Sequence, residues 1–501
     1  MYKWYTVICD FIFIANYNYY NAYTIIHKIE VLKMIHQISH MFSVENMLKP
    51  DQVVGQIPKN HDIYKNFLRV AWPSALETLL VALVGSVDTI MVGGLGDSAI
   101  AAVGITNQPK FILLAMIFSL NVGITAIVAR RKGQNDKEGA NQTLRVGMIL
   151  STCISLIMSI LGYIFALPIL KFAGADASYM SYALDYFRII MISIFFTALN
   201  LTINAAQRGS GKTKISMRTN IVANLVNIVF NYLLINGKLG FPRLEVRGAA
   251  IATLLGTIAA CLISIITLFN KEAFLSLRYK ASWKITHSII NPIFKVSSSA
   301  FVEQVFTRIG LMSYAAIVAR LGATPYATHL ICMNILNLSY CIGDGFSIAA
   351  SSLVGQNLGA KRPDLSILYG KTGQRLAFIF STILFAILIL GRSFLVSLYS
   401  NTPEVIALGS TILIIIAFTT HVQTSQVVFS GCLRGAGDTS YVAMVSMISI
   451  ALIRPIFTLI LAFPLGLGLQ GAWIALFIDQ IFRFSAIFTR FAKGKWTKIT
   501  L

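Results

Sequence analysis

The chain has 501 residues, of which 56% are hydrophobic and 12% are charged, and its formal net charge is +21. Soluble domains carry about 25% charged residues, so this composition excludes an ordinary soluble domain and favours a protein that crosses the lipid bilayer many times. The excess of lysine and arginine would suit a nucleic-acid-binding protein. The basic residues fall between hydrophobic segments, however, which favours a role in membrane topology over a nucleic-acid surface.

Residues 1–52 form an N-terminal tail with no clear hydrophobic period. Its apolar stretch at 7–15 is too short to span a bilayer, and no small-residue cleavage site follows a basic start as it does in a signal peptide. Met41 and Met47 stand just before the first patterned segment. We therefore expect the tail to be dispensable, so that a chain beginning at Met47 keeps its activity.

Twelve hydrophobic segments follow the tail, each about 20 residues or more in length, which is enough for a helix to cross a bilayer. In lipid every backbone amide must be satisfied within its own segment, so these segments are predicted to be helices. The predicted fold is an all-α integral membrane protein with twelve transmembrane helices. The approximate ranges are 67–91, 111–130, 146–170, 183–205, 217–236, 248–270, 293–319, 329–353, 374–394, 408–430, 441–463 and 470–490.

The basic residues are unevenly divided between the two sides of these segments. Roughly 27 lysines and arginines accompany the termini and the even-numbered loops, and about 7 accompany the other loops. Cytoplasmic loops carry the excess of lysine and arginine, so both termini are predicted to lie in the cytoplasm. The expectation is a multi-pass protein of the plasma membrane that contacts the lipid bilayer and does not bind nucleic acid.

The sequence repeats itself at a distance of about 226 residues. The run Arg208–Thr213 (RGSGKT) returns as Arg434–Thr439 (RGAGDT), and the same shift carries Glu77 onto Glu303. Six segments per half is an even number, so both halves enter the membrane from the same side, as two pseudo-symmetric six-helix bundles around an axis along the membrane normal. The predicted division places the N-terminal lobe at 53–282 and the C-terminal lobe at 283–501.

Asp88 lies deep in the first hydrophobic segment. Holding a carboxylate there costs about 2.5–3.5 kcal/mol on insertion scales, so the residue needs a partner or a function. Removal from water favours the protonated carboxyl group in general, which suits proton coupling. The same carboxylate beside amide oxygens would instead hold sodium, and residue type alone does not separate the two ions.

A polar stripe runs along the fifth segment. Asn227 and Asn231 lie one helical turn apart and so share a face, and Asn224 stands a turn earlier. The stripe either joins helices by hydrogen bonds or supplies co-ligands to Asp88. Its position makes Asp88, Asn227 and Asn231 the candidate cation-coupling site, and the candidate sodium site if the coupling ion is a metal.

Other charged residues inside the segments allow fewer conclusions. Glu77 and Glu303, at equivalent positions, form either symmetric structural pairs or an ion site in each lobe. Arg454 needs an acidic partner that the sequence does not identify. Asp479 and Arg483, four residues apart on the last segment, are predicted to form a structural ion pair.

Three motifs resemble the multidrug and toxic compound extrusion family. Pro73, the run at 87–91 (VDTIM) and Gly93 resemble its first helix. The run at 433–439 (LRGAGDT) resembles its hallmark after the tenth helix, and the run at 227–232 (NIVFNY) resembles the fifth helix of its NorM-type members. The resemblance covers the chain from about residue 60 to its end.

The resemblance implies two six-helix bundles in a V shape, with Asp88, Asn227 and Asn231 lining a cation site in the N-terminal lobe. NorM-type members carry further acids on the seventh and tenth helices, and these positions hold Thr307 and Gln423 here. The departure favours coupling through Asp88. Thr307, with Glu77 and Glu303, remains as a possible second polar site.

The predicted function is therefore a multidrug efflux pump, a monomeric secondary antiporter that exports cationic or amphipathic drugs in exchange for protons or sodium. It needs no cofactor and is not an enzyme, and no Walker motif indicates ATP as the driving force. Its cavity is expected to be negatively biased. The alternative is a flippase for lipid-linked precursors, from the same broader superfamily, whose cavity would carry several cations for a pyrophosphate. An intramembrane enzyme would need a histidine or nucleophile cluster that the sequence does not show.

Overall fold

A computed structural model describes residues 42–500 of the chain. For seven of these residues it describes the backbone alone: Leu83, Val84, Ser86, Val87, Thr89, Ile90 and Asp97. Within these residues the fold is all-α, as predicted. The long helices are α1 (Asn60–Gly93), α2 (Asp97–Gly133), α3 (Lys137–Ile164), α4 (Met180–Gly209), α5 (Thr213–Asn236), α6 (Glu245–Thr267), α7 (His287–Ala319), α8 (Ala323–Gly359), α9 (Pro363–Leu390), α10 (Pro403–Ala436), α11 (Thr439–Ala462) and α12 (Gly468–Ala492).

Ten of the helices in the described part of the chain are long and apolar enough to cross a membrane; α1 and α8 are not among them. Most segments extend beyond their predicted ranges. In particular, α1 begins at Asn60, so Pro73 lies inside the helix rather than at its start. An interior proline removes one backbone hydrogen bond and favours a kink, so α1 has a flexible point at Pro73.

Equivalent glycines shape the same turns in both halves. Gly211 precedes α5 with a φ of 81°, and its counterpart Gly437 precedes α11 with a φ of 89°. A side chain would be strained in this left-handed conformation, which explains why the repeated motif keeps glycine there. We call the end of the bundle at which α2, α4, α8 and α10 finish the basic end, because the arginine-rich and lysine-rich loops lie there.

Helix packing repeats in the two halves. The pairs α2–α4, α4–α6 and α5–α6 in the first half correspond to α8–α10, α10–α12 and α11–α12 in the second. The packing of α1 on α5 corresponds to that of α7 on α11. These repeated contacts give two six-helix lobes, in agreement with the predicted fold class.

The first helix of each half crosses into the other lobe near the basic end. Ile63 and Phe67 of α1 are fully buried in the core cluster of the C-terminal lobe, where Phe67 stacks on Phe346. Ile289 and Ile293 of α7 are likewise buried among α2, α3 and α4 of the N-terminal lobe. The division at residue 282 stays a prediction, and the packing crosses it at α1 and α7.

The two lobes touch closely at the basic end. A Cβ added to Gly133 of α2 would clash with the carbonyl oxygen of Gln356 of α8, and one added to Gly359 of α8 would clash with that of Arg130 of α2. Further along, the Thr78 hydroxyl donates to the carbonyl of the α8 residue Cys341 at 2.5 Å. The lobes therefore meet from the middle of α1 to the basic end.

Part of the N-terminal tail packs against the C-terminal lobe. Val44 and Met47 are buried in its core, and the Lys371 ammonium group donates to the Met47 carbonyl at 2.6 Å. The Val54 amide donates to Asp364 at 3.2 Å. Dispensability stays a prediction for residues 1–41, which lie outside the described residues. The packing gives residues 42–52 a structural role that the sequence analysis did not foresee.

Candidate functional site

Asp88 meets the polar stripe of α5. Because α1 packs on α5, the Asp88 carboxylate faces Asn231, whose amide nitrogen donates to Oδ1 of Asp88 at 2.6 Å. Asn231 is 1% exposed, whereas Asp88 is half-buried. The structure thus brings together two of the three predicted residues directly.

Asn227 completes the contact with Asp88. In the amide orientation that satisfies both its oxygen and its nitrogen, the nitrogen donates to Oδ1 of Asp88 at 2.7 Å. The oxygen then accepts from the Thr253 hydroxyl of α6 at 3.2 Å. Asn224, a turn earlier, is only partly buried, and its amide nitrogen has no partner among the described residues. The site therefore consists of Asp88, Asn227, Asn231 and Thr253.

No basic side chain forms an ion pair with Asp88 in the described part of the chain. The neighbouring cation is Lys110 of α2, which acts on Asp88 through space. Hydrogen bonds from neutral amides orient the carboxylate but do not neutralise its negative charge. Oδ1 of Asn231 is buried without a described partner. Carboxylate, amide and hydroxyl oxygens are therefore close together, which suits a proton or a hard cation such as sodium.

Glu77 and Glu303 form matching hydrogen-bonded pairs. Glu77 accepts from Arg208 at 3.2 Å, as well as from Ser216 at 2.7 Å and Asn220 at 2.6 Å. Glu303 accepts from Arg434 at 2.6 Å and from Ser446 at 3.0 Å. These are arginines of the repeated motif, so the motif ties the fourth helix of each lobe to the first. Of the two alternatives, this geometry fits symmetric structural pairs.

The C-terminal lobe contains a cavity of about 400 Å³. Glu303 and Thr307 line it, which places two of the three residues of the predicted second polar site in one cavity and leaves Glu77 in the other lobe. Asp344 of α8 also lines the cavity, and its side chain is exposed there. Four arginines from four helices complete the charged lining: Arg308, Arg434, Arg454 and Arg483.

The ion pair predicted within α12 is confirmed and extended. Arg483 lies 3.3 Å from Asp479, and Arg454 of α11 contacts the same carboxylate through Nη2 at 2.5 Å and Nε at 3.0 Å. Asp479 is therefore the partner that the sequence could not assign to Arg454. Just before Arg454, α11 contains a π-helical segment, Met447–Ile453. Such segments are frequent at functional sites.

The arginine lining corrects one prediction and reveals one omission. The expected negative bias is wrong for the cavity of the C-terminal lobe, where four guanidinium groups converge. The sequence analysis also overlooked Asp344, although a lone carboxylate inside the apolar segment 329–353 is the same signal that identified Asp88. Arg308, five residues after Glu303 on α7, does not pair with it, because the two side chains lie on different faces of the helix.

Comparisons with known proteins agree on one family. The MatE family model matches the chain twice, at residues 73–233 and 299–460, which together exceed half its length. A probable multidrug resistance protein NorM of Thermotoga maritima is 28% identical over 88% of this chain and 95% of its own length.

Solved structures share the fold at lower identity. A crystal structure of MATE in the bent conformation aligns with a TM-score of 0.79 and 23% identity, over 87% of this chain and 95% of its own. A transporter of the MOP superfamily from Pyrococcus furiosus, described as having reverse polarity of its binding pocket, aligns with a TM-score of 0.81 and 23% identity, over 87% of this chain and 97% of its own.

Proposed function

The chain belongs to the MatE family of membrane transporters, and we propose that it is a multidrug efflux pump that exports cationic or amphipathic drugs in exchange for protons or sodium. The name of the Thermotoga relative supports drugs as the substrate class. The pump is a multi-pass membrane protein, and the proposal places it in the plasma membrane as a monomer with both termini in the cytoplasm. The excess of basic residues at one end of the bundle supports this orientation.

The observation that carries the proposal is the environment of the Asp88 carboxylate. Two neutral amides hold it in place, Lys110 acts on it only through space, and it forms no ion pair within the described residues. The group therefore offers its charge to an incoming ion. A proton would bind Oδ2 of Asp88 and neutralise the carboxylate. Sodium would be coordinated by the carboxylate together with the amide oxygens and Thr253.

The first helix of each lobe crosses into the other lobe, and α1 can therefore couple ion binding at Asp88 to movement of the lobes. Asp88 sits on the part of α1 that packs in the N-terminal lobe, whereas Phe67 anchors the other part in the C-terminal lobe. A change of charge at Asp88 alters the contact of α1 with α5, and a helix fixed in both lobes passes that change to their interface. The coupling ion can shift the lobe arrangement only by its difference in affinity for the two states.

A cation-lined cavity is the predicted hallmark of the alternative function, a lipid-linked precursor flippase. Four arginines do line the C-terminal cavity, but they face three carboxylates, Glu303, Asp344 and Asp479. One positive charge remains uncompensated. A pyrophosphate carries at least two negative charges, so the balance supports the antiporter over a lipid-pyrophosphate flippase.

The test is ethidium efflux from cells or inside-out vesicles, with a sodium gradient and a proton gradient imposed separately. We expect one gradient to drive efflux in the wild-type protein, and Asp88→Asn to reduce that efflux at least tenfold, because the amide carries no charge to exchange. The Asp88→Asn protein should still insert at wild-type levels.

Asp176→Asn provides the matched control, since it makes the same chemical change at an exposed loop position. Its efflux should equal that of the wild type. Wild-type efflux from Asp88→Asn would overturn the assignment of the coupling site. Absence of gradient-driven efflux from the wild type itself would favour the flippase.

A further inference from the structure

The cavity of the C-terminal lobe has an excess of positive charge that no described residue balances. Arg434 pairs with Glu303, and Arg454 shares Asp479 with Arg483. The remaining acid, Asp344, lines the same cavity and attracts Arg434 electrostatically without forming an ion pair with it among the described residues. Arg308 forms no ion pair within the described residues.

Arg308 is placed where a ligand could reach it. It lines the cavity from α7, and its guanidinium group lies 5.0 Å from the centre of the Phe111 ring of α2. Its Nε atom is buried without a hydrogen-bond acceptor among the described residues. A guanidinium group presents several donors in a fixed planar fork, and a carboxylate matches two of them at once.

Buried polar groups beside Arg308 point to a built binding site. Gln480 of α12 is 2% exposed and Gln426 of α10 is 4% exposed; both line the cavity, and the Oε1 atom of each lacks a described partner. Buried amides without partners are costly, and a bound ligand or water would satisfy them. These two oxygens are acceptors, so they would bind a donor group of the ligand or a bridging water rather than the carboxylate itself.

The rest of the wall combines polar side chains such as Asn337 and Tyr340 with apolar ones. The hydrophobic side chains that line the cavity are Leu311, Met333, Leu336, Val427, Ile450 and Leu476. A small ligand with one charged end and one apolar body fits such a wall, because the body displaces water while the charged end finds its partner. A volume of about 400 Å³ accommodates a ligand of one or two aromatic rings.

We propose that this cavity is a binding site for an amphipathic monocarboxylate, whose carboxylate pairs with Arg308. The single uncompensated positive charge matches one negative charge. This site is separate from Asp88 and binds its ligand whether or not the chain exports ethidium, so its failure and that of the proposed antiporter are distinguishable. A substrate with both a cationic and a carboxylate group would then find complementary charges in the two lobes.

The test is a binding titration of the purified full-length protein with 2-naphthoate, followed by naphthalene fluorescence, with 2-naphthamide as a neutral ligand of nearly the same shape. We expect the wild type to bind 2-naphthoate at least tenfold more tightly than 2-naphthamide. Arg308→Gln should remove this preference by weakening the binding of 2-naphthoate alone. Arg308→Lys should keep part of it, since the charge remains without the planar fork.

Arg320→Gln is the matched control, because Arg320 lies at the end of the same helix, is exposed, and does not line the cavity. It should bind both ligands as the wild type does. If Arg308→Gln unfolds in a thermal scan, Arg308→Lys serves as the second variant, and its preference for 2-naphthoate should fall several-fold below that of the wild type. Equal binding of the two ligands by the wild type would overturn the proposal, and so would an unchanged preference in Arg308→Gln or, where that variant unfolds, in Arg308→Lys.

Discussion

The two lobes hold different chemistry at equivalent places. A shift of 226 residues carries Asp88 of α1 onto Tyr314 of α7. In the last helix of each lobe the run at 248–252 (GAAIA) matches the run at 471–475 (GAWIA), which places Asp479 of α12 at the position of Gly256 of α6. In the N-terminal lobe the acid lies on the first helix of the lobe and contacts neutral amides. In the C-terminal lobe the acid has moved to the last helix, and two arginines hold it in an ion-paired cluster.

The fifth helix of each lobe shows the same divergence. Asn227 of α5 would align with Ile453 of α11, but the π-helical segment Met447–Ile453 absorbs an extra residue and brings Arg454 to the corresponding place. An amide that orients a free carboxylate is thus replaced by a guanidinium group that neutralises one. The duplicated scaffold has kept its packing, while one acid forms no ion pair within the described residues and the other lies in an ion-paired cluster.

The largest expected effect is the difference in stability between variants of two acids, Asp479 and Asp88. Asp479→Asn leaves Arg454 and Arg483 buried without a counter-charge, and we expect it to destabilise the fold by about 3–5 kcal/mol. Asp88→Asn should cost less than about 1 kcal/mol, because a neutral side chain still accepts the amide hydrogen bond of Asn231. Thermal unfolding of both variants in detergent measures the difference. Similar losses of stability for the two variants would contradict a structural role that is specific to Asp479.

A second prediction concerns the contact between the lobes at the basic end, where Gly133 and Gly359 occupy equivalent positions. Gly133→Ala and Gly359→Ala each push a methyl group into the backbone of the opposite lobe, where no side chain can move aside. Such overpacking costs about 1–3 kcal/mol, so we expect each variant to disfavour the closed basic end and to reduce ethidium export about tenfold. Gly343→Ala is the control, because its added Cβ would meet only ordinary contacts, the nearest at 3.8 Å. Export unaffected in either variant would show that the closed arrangement is not required.

The smallest effect concerns the matching glutamates. Glu77→Gln leaves Arg208 without an acid in the described structure, whereas Glu303→Gln leaves Arg434 beside Asp344. We expect a loss of about 2 kcal/mol for the first variant and about 1 kcal/mol for the second, by the usual worth of a charged hydrogen bond. Denaturation of both variants under one condition gives the comparison. A larger loss for Glu303→Gln would mean that Asp344 does not support Arg434.

The sequence alone determined the helices, the duplication and the central acid. Membrane-spanning segments can be recognised in the sequence because a helix in lipid needs a long apolar run. Within such a run a polar residue such as Asp88 or Asn231 is a candidate functional residue. The one-turn spacing of Asn227 and Asn231 fixed their common face before any neighbour was known. The ion pair of Asp479 with Arg483 was predictable for the same reason, since both lie on one helix.

Only the tertiary structure decided which helices are neighbours. The partner of Arg454 lies 25 residues away on another helix, and Glu77 meets an arginine 131 residues later. The crossing of α1 and α7 between the lobes, and the convergence of four arginines on one cavity, depend on the packing of whole helices. In an apolar segment every face looks alike in sequence, because lipid and protein interior favour the same side chains.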